Sequence, residues 1–279
     1  MLFDSHSHIN HEGFTEKERQ ARITEIEQDT ELAYVMDIGC DLATSKLAAE
    51  HGEKYPWCFA TVGYHPHDAK EMGDMELLMI KGLARKEGVK AIGEIGLDFH
   101  YDHSPREVQK ECFRQQIQLA NELKMPIVIH SREADQEVLD ILKEEGAFSE
   151  ERKSWFPKRA VPEGFAVAEN DARVLLHCYS GSKELAEQYV RLGGTISVAG
   201  PLTYKNNKKT VGVVETIPAE FLLVETDAPF LTPEPLRGKP NKSSYVAHTV
   251  RRMAAIKGIE YEEMAKKTCE NAKVFYGIE

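Results

Sequence analysis

Short apolar runs alternate with longer amphipathic stretches along almost the whole chain, and that alternation constrains the fold more than any other feature of the sequence. Eight runs read as strands, near Leu2 to Asp4, Tyr34 to Ile38, Trp57 to Val62, Lys90 to Glu94, Ile127 to Ile129, Val174 to Leu176, Thr195 to Val198 and Leu222 to Val224. Between them, Thr15 to Glu31, Leu42 to Lys54, Met75 to Glu87, Pro105 to Lys124, Glu133 to Glu145 and Ser182 to Leu192 read as helices. Ser104 before Pro105 forms a cap and first-turn pair, and Ser182 is a second cap. Strands and helices in this order over most of 279 residues predict a closed (β/α)8 TIM barrel in preference to an open doubly wound sheet. Residues 1–279 therefore read as a single barrel domain, with Tyr245 to Tyr276 supplying two closing helices. The stretch from Gly146 to Arg173 breaks the rhythm, being longer than most helix-to-strand connections. Because it follows the fifth helix, it is expected at the bottom of the barrel, as a surface excursion folded around Trp155, Phe156 and Phe165.

Chemistry in such a barrel gathers at the C-terminal ends of the strands, so the residues ending each apolar run are the informative ones. The first run leads to Asp4-Ser5-His6-Ser7-His8. Strand alternation puts His6 and His8 on one face with Asp4, whose carboxylate is placed to orient a ring nitrogen. The third run leads into Gly63-Tyr64-His65-Pro66-His67, the fourth ends at Glu94, the fifth at His130, the sixth at His177 and the eighth at Asp227. Each alone has an ordinary explanation: a chance His-x-His pair, a capped core histidine at His130, a mouth ion pair at Glu94, a turn cap at Asp227. Their coincidence at one rim does not, because burying that many ionisable groups together is costly unless positive charge compensates. Four imidazoles and two carboxylates supply ligands for two divalent metal ions if one carboxylate bridges, and such mixed ligands accept Zn, Mn, Co, Ni or Mg. Cys178, next to His177, is expected to face the opposite side of its strand and pack in the core; Met72, Met75 and Met79 read as helix packing.

No apolar run approaches the roughly 20 residues of a membrane span, and no Gly-rich phosphate loop follows a strand, so neither membrane association nor a nucleotide cofactor is expected. The five cysteines form no Cys-x-x-Cys pair and no secretion signal precedes Asp4, which favours reduced thiols and a cytoplasmic location. With 35 basic against 46 acidic residues the net charge is −11, which argues against broad attraction to nucleic acid. Bound metal ions and a few cationic side chains still reverse the sign inside one cleft.

Taken together, Phe3-Asp4-Ser5-His6-Ser7-His8, Gly63-Tyr64-His65-Pro66-His67, Gly93-Glu94-Ile95-Gly96-Leu97-Asp98, Ile129-His130-Ser131-Arg132, His177-Cys178-Tyr179-Ser180-Gly181 and Glu225-Thr226-Asp227-Ala228-Pro229 resemble the TatD-type metal-dependent deoxyribonucleases, a branch of the amidohydrolase-like barrels. The resemblance implies that His6, His8, Glu94 and Asp227 surround one ion while Glu94, His130 and His177 hold a second. It implies DNA as the substrate, cleaved from an end by a metal-activated water, with Glu94 in the place that a carbamylated lysine takes in some other amidohydrolases. Asp227 is the expected general base, and His65 and Arg132 are expected to meet the substrate, with Lys205, Arg237 and Lys239 as further cations near the rim. Two departures stand out: Tyr179 replaces the usual Phe, and Asn241-Lys242-Ser243-Ser244 replaces the usual Asn-Glu-Pro. The competing reading is hydrolysis of a small ester, amide or cyclic substrate, since fold does not fix substrate. A monomer or weak oligomer is expected.

Overall fold

A computed structural model describes residues 1–159, 161–167 and 170–279. The eight strands are β1 Leu2–Ser7, β2 Leu32–Ile38, β3 Cys58–Val62, β4 Val89–Asp98, β5 Ile127–Arg132, β6 Val174–Leu176, β7 Gly194–Val198 and β8 Leu222–Val224, paired in parallel in chain order. The sheet closes where Ser7 bridges to Ala228 and the Asp227 N–H donates to the His6 carbonyl at 2.9 Å. Helices alternate with the strands: α1 Glu16–Gln28, α2 Leu42–Lys54, α3 Asp74–Leu83, α4 Arg106–Leu123, α5 Asp135–Glu144, α6 Glu150–Lys153, α7 Lys183–Leu192, α8 Lys208–Thr216, α9 Val246–Lys257 and α10 Tyr261–Tyr276. This is the expected (β/α)8 TIM barrel. No helix among the described residues is long and apolar enough to cross a membrane.

Two devices close the lower end. Phe3, Met36, Val128 and Leu223 inside the barrel pack with Phe275 and Tyr276 of α10, and the Tyr276 hydroxyl donates to the Ser5 carbonyl at 3.1 Å. The long connection into β6 does more than cover surface, which corrects the expectation of a simple excursion. Arg152 of α6 is 0% exposed and donates from Nε to the Ala172 carbonyl at 2.9 Å, from Nη1 to Asn121 Oδ1 at 2.7 Å and from Nη2 to the Met125 carbonyl at 2.8 Å. Arg159 donates to the carbonyls of Gly194 and Val190 at 2.7 and 2.9 Å. Met125, Ala172 and Gly194 lie at the starts of β5, β6 and β7, and Asn121 and Val190 in the last turns of α4 and α7, so the segment is anchored on the barrel's lower rim. The part of the expectation that concerns Ala160, Ala168 and Glu169 falls outside the described residues.

Other local expectations are also corrected. The Ser104 hydroxyl donates to the His67 carbonyl at 2.7 Å and accepts the Lys70 N–H at 3.1 Å, so α4 starts at Arg106 without a side-chain cap, whereas Ser182 does accept the Leu185 N–H at 3.1 Å. Met75 and Met79 are 60% and 42% exposed, and of the three methionines only Met72 packs against the core.

Candidate metal centre

Irregular register aims the two strands that matter most. On β1, Asp4 pairs with Val35 but Ser7 with Asp37, and on β4, Ile92 pairs with Ile127 but Ile95 with Ile129, so each gains one residue on its partner. Such an insertion re-aims side chains and resets the alternation. It explains why Asp4 does not orient an imidazole as expected. Its buried carboxylate accepts instead from the Thr226 N–H at 2.8 Å and the Thr226 hydroxyl at 2.6 Å, while burial pushes it up to about 7. Asp4 thus fixes the residue beside Asp227. On β4, Gly96 has a φ of +147°, and a Cβ there would collide with the His130 carbonyl oxygen, so glycine lets β4 and β5 approach beside Glu94.

The structure brings His6, His8, Glu94, His130, His177 and Asp227 into one cluster at the upper rim. Glu94 is central: its Oε2 lies 3.2 Å from His6 Nε2, and its Oε1 lies 2.7 Å from His130 Nδ1 and 2.8 Å from His177 Nε2. Asp227 Oδ1 stands 3.3 Å from His8 Nε2 and 3.8 Å from His6 Nε2. Overlapping triads, including His6–Glu94–His177 and His6–His8–Asp227, have ligand atoms close enough together to share an ion.

The outer hydrogen bonds decide which imidazoles suit that task. His8 Nδ1 faces the Ile38 carbonyl at 3.2 Å, His177 Nδ1 faces Glu225 Oε1 at 3.2 Å, and His130 Nε2 faces Asp98 Oδ2 at 3.3 Å. In each ring one nitrogen donates outward to an acceptor, which leaves the other lone pair pointing at the cluster, the arrangement of a ligating histidine. His6, fully buried, has no hydrogen-bond partner on either nitrogen among the described residues, and such an orphan is costly unless a ligand satisfies it. A divalent cation fits this donor set. His65 is keyed the other way. Its Nδ1 accepts the His67 N–H at 3.1 Å, so in the neutral ring Nε2 carries the proton and turns it toward Glu94 Oε1 at 3.6 Å. Although His65, Glu94 and His130 are close enough to group as ligands, this tautomer makes His65 a donor.

The electrostatics agree with a demand for positive charge. Burial opposes ionisation of Glu94, but His177, His6 and His65 outweigh it and hold the carboxyl well below its usual range. Burial likewise opposes the charge on Asp227, and His8 reverses the balance. Burial and the neighbouring His130 push His65 well below the ordinary imidazole value, consistent with a neutral ring.

The cluster floors a cavity of about 690 Å³. Arg132 lines it, whereas Lys205, Arg237 and Lys239 do not, and Arg237 instead lies 4.4 Å over the Tyr204 ring. Cys178 also lines the cavity, correcting its expected place in the core. β6 stops at Leu176, and with φ of +41° Cys178 no longer follows strand alternation. Two carboxylates that hold the cluster's imidazoles were not singled out by the sequence. Glu225 is buried beside His177, and Asp98 holds His67 and His130 through Oδ2 while Oδ1 accepts the N–H groups of His100 and Tyr101 at 3.0 and 2.9 Å. Both belong to the quoted motifs, and the signal for Asp98 was its place four residues beyond Glu94.

The family model described as TatD related DNase matches residues 3–277. The chain belongs to that family. A relative from Bacillus subtilis (strain 168), named uncharacterized metal-dependent hydrolase YabD, is 41% identical over 279 residues, covering 100% of both chains. A relative from Erwinia amylovora, named 3'-5' ssDNA/RNA exonuclease TatD, is 32% identical over 237 residues, covering 83% of this chain and 82% of its own. Among solved structures, the TatD homolog YJJV from Escherichia coli k12 superposes with a TM-score of 0.84 at 24% identity, covering 100% of this chain and 98% of the other. That likeness independently supports the TatD barrel fold.

Proposed function

We propose that this TatD-family chain is a metal-dependent hydrolase that cleaves phosphodiester bonds of DNA from an end, in a reducing, cytoplasmic setting consistent with its five free cysteines. The observation that carries the reading is the keyed set of imidazoles around Glu94, each of His8, His130 and His177 held by an outer acceptor and presenting its other nitrogen inward. His6, His8, Glu94 and Asp227 would hold one divalent ion, and Glu94, His130 and His177 a second. When bound, the ions acidify water and polarise the phosphoryl oxygens. Asp227 accepts the proton of the attacking water, its carboxylate kept ionised by His8. His65 donates its Nε2 proton to a substrate oxygen, and Arg132 steadies a phosphate. The name of the Erwinia amylovora relative supports cutting from an end.

The test is incubation of metal-loaded protein with end-labelled single-stranded and duplex DNA. Stepwise shortening that stops on chelation and resumes with added divalent ion is the expected result. DNA left intact while a small ester or amide is hydrolysed would transfer the site to the competing chemistry.

A further inference from the structure

Among the described residues, two aromatic side chains are exposed, Tyr101 at 50% and Phe230 at 48%, and both line the cavity above Glu94. Single exposed apolar residues need no explanation, but here both exposed aromatics lie in one cavity. Tyr101 follows β4 and Phe230 follows β8, and in a closed barrel of eight strands in chain order these stand across the axis from one another. Each ring is carried by backbone fixed to the catalytic rim: the Tyr101 N–H donates to Asp98 Oδ1 at 2.9 Å, and the Phe230 N–H donates to the Asp227 carbonyl at 2.8 Å. The Asn241 side chain also donates to the Phe230 carbonyl at 2.5 Å. On the β4 side the exposed Arg132 guanidinium lies 4.6 Å over the Tyr101 ring and pairs with no acidic residue among the described residues. The His103 ring also stacks against Tyr101, with centroids 5.6 Å apart, and Tyr101 and Arg132 together present a cationic and aromatic surface to the cavity.

We propose that the Tyr101–Arg132 stack and Phe230 are base-stacking platforms on opposite sides of the scissile phosphate, so that the site grips a single strand by the nucleobases flanking the bond it cuts. This rests on the nuclease reading above and adds its recognition element. Every base has a π-face, so stacking of this kind reads no sequence; it requires unpaired bases and therefore selects single-stranded ends over paired ones. It also answers the charge problem of an acidic chain, because stacking adds affinity without a cationic track.

The test uses the metal-loaded protein and single-stranded oligonucleotides that carry either normal or abasic nucleotides on each side of the terminal linkage. Tyr101→Ala and Phe230→Ala should each raise KM for the normal strand by about tenfold while leaving the abasic strand unaffected. Tyr101→Phe should keep the parental KM, because the ring and not the hydroxyl is at work. Equal losses on normal and abasic strands would reveal a merely structural role and overturn the proposal, as would a parent enzyme indifferent to abasic sites. A second arm titrates the same protein with a 2-aminopurine dinucleotide joined by a non-hydrolysable methylphosphonate. Quenching that disappears in Tyr101→Ala and Phe230→Ala supports the platforms even if no nucleic acid is cut and the nuclease reading falls. No quenching in the parent protein overturns the platforms whatever the cleavage result.

Discussion

The two ends of this barrel both bury charge, and they do so to opposite effect. At the lower rim Arg152 is sealed from solvent, yet its guanidinium donates to two strand-start carbonyls and to Asn121. Burial pulls it down to about 10, so it stays charged at neutral pH. At the upper rim the buried groups satisfy one another only in part: among the described residues neither His6 nitrogen has a hydrogen-bond partner, although Nε2 lies 3.2 Å from Glu94, and Glu94 is crowded by four imidazoles. The lower charges answer polar groups that the barrel already has. The upper ones hold open a demand that the chain does not meet alone. Charge buried with its partners holds a fold together, whereas charge buried short of partners is a binding site.

That contrast can be broken by substitution. Glu94→Gln should lower turnover by about three orders of magnitude or more and reduce metal content measured by elemental analysis, because the central ligand is lost. The metal-free variant should melt no lower than the metal-free parent; a large drop would mean that Glu94 serves the fold as Arg152 does. Arg152→Met should do the reverse, costing about 3 kcal/mol by stranding buried carbonyls, read as a fall of roughly 5 to 10 °C in Tm. Its kcat per folded molecule should be unchanged, and a loss of kcat with an unaltered Tm would erase the distinction between the rims. Asp227→Asn should reduce kcat by about a hundredfold with normal melting, since an amide is nearly isosteric but takes no proton. The smallest effect belongs to Asp98→Asn, about tenfold in kcat/KM, because it weakens the hold on His130 and the Tyr101 backbone without removing either. A single unaltered Michaelis curve for that variant would remove Asp98 from the site.

The barrel itself was legible because buried parallel strands read as compact apolar runs, and Val174–Leu176 and Leu222–Val224 begin and end where those runs do. β4 was legible only as far as Glu94, since Glu94 and Gly96 interrupt its apolar pattern, and so Asp98 went without a role. α8 left little trace, its Gly212 and paired valines giving a weak helical signal. For the six clustered residues, strand-end position was a sufficient guide. Alternation was a poor guide for Asp4 and Cys178, because one lies beside an irregular register and the other beyond its strand's last paired residue. Hydrogen-bond direction, which separates His65 from the other rim histidines, exists only once the fold has placed their partners.

The closure of the last strand's end on the first also sets an order in time. β1 carries His6 and leads directly into His8, but the residues that complete its far side, Thr226 to Ala228, are made more than two hundred positions later, and the Tyr276 hydroxyl that holds the Ser5 carbonyl comes later still. During synthesis the first strand therefore waits with one edge unpaired while the intervening elements assemble. Of the six clustered residues, His6, His8, Glu94, His130 and His177 are all made before Asp227, and the His6–His8–Asp227 group stays incomplete until it arrives. The chain emerges from the ribosome as a nearly finished ring whose clasp comes after all eight strands and ahead of α9 and α10, so the six-residue cluster is completed in a single step and not by degrees.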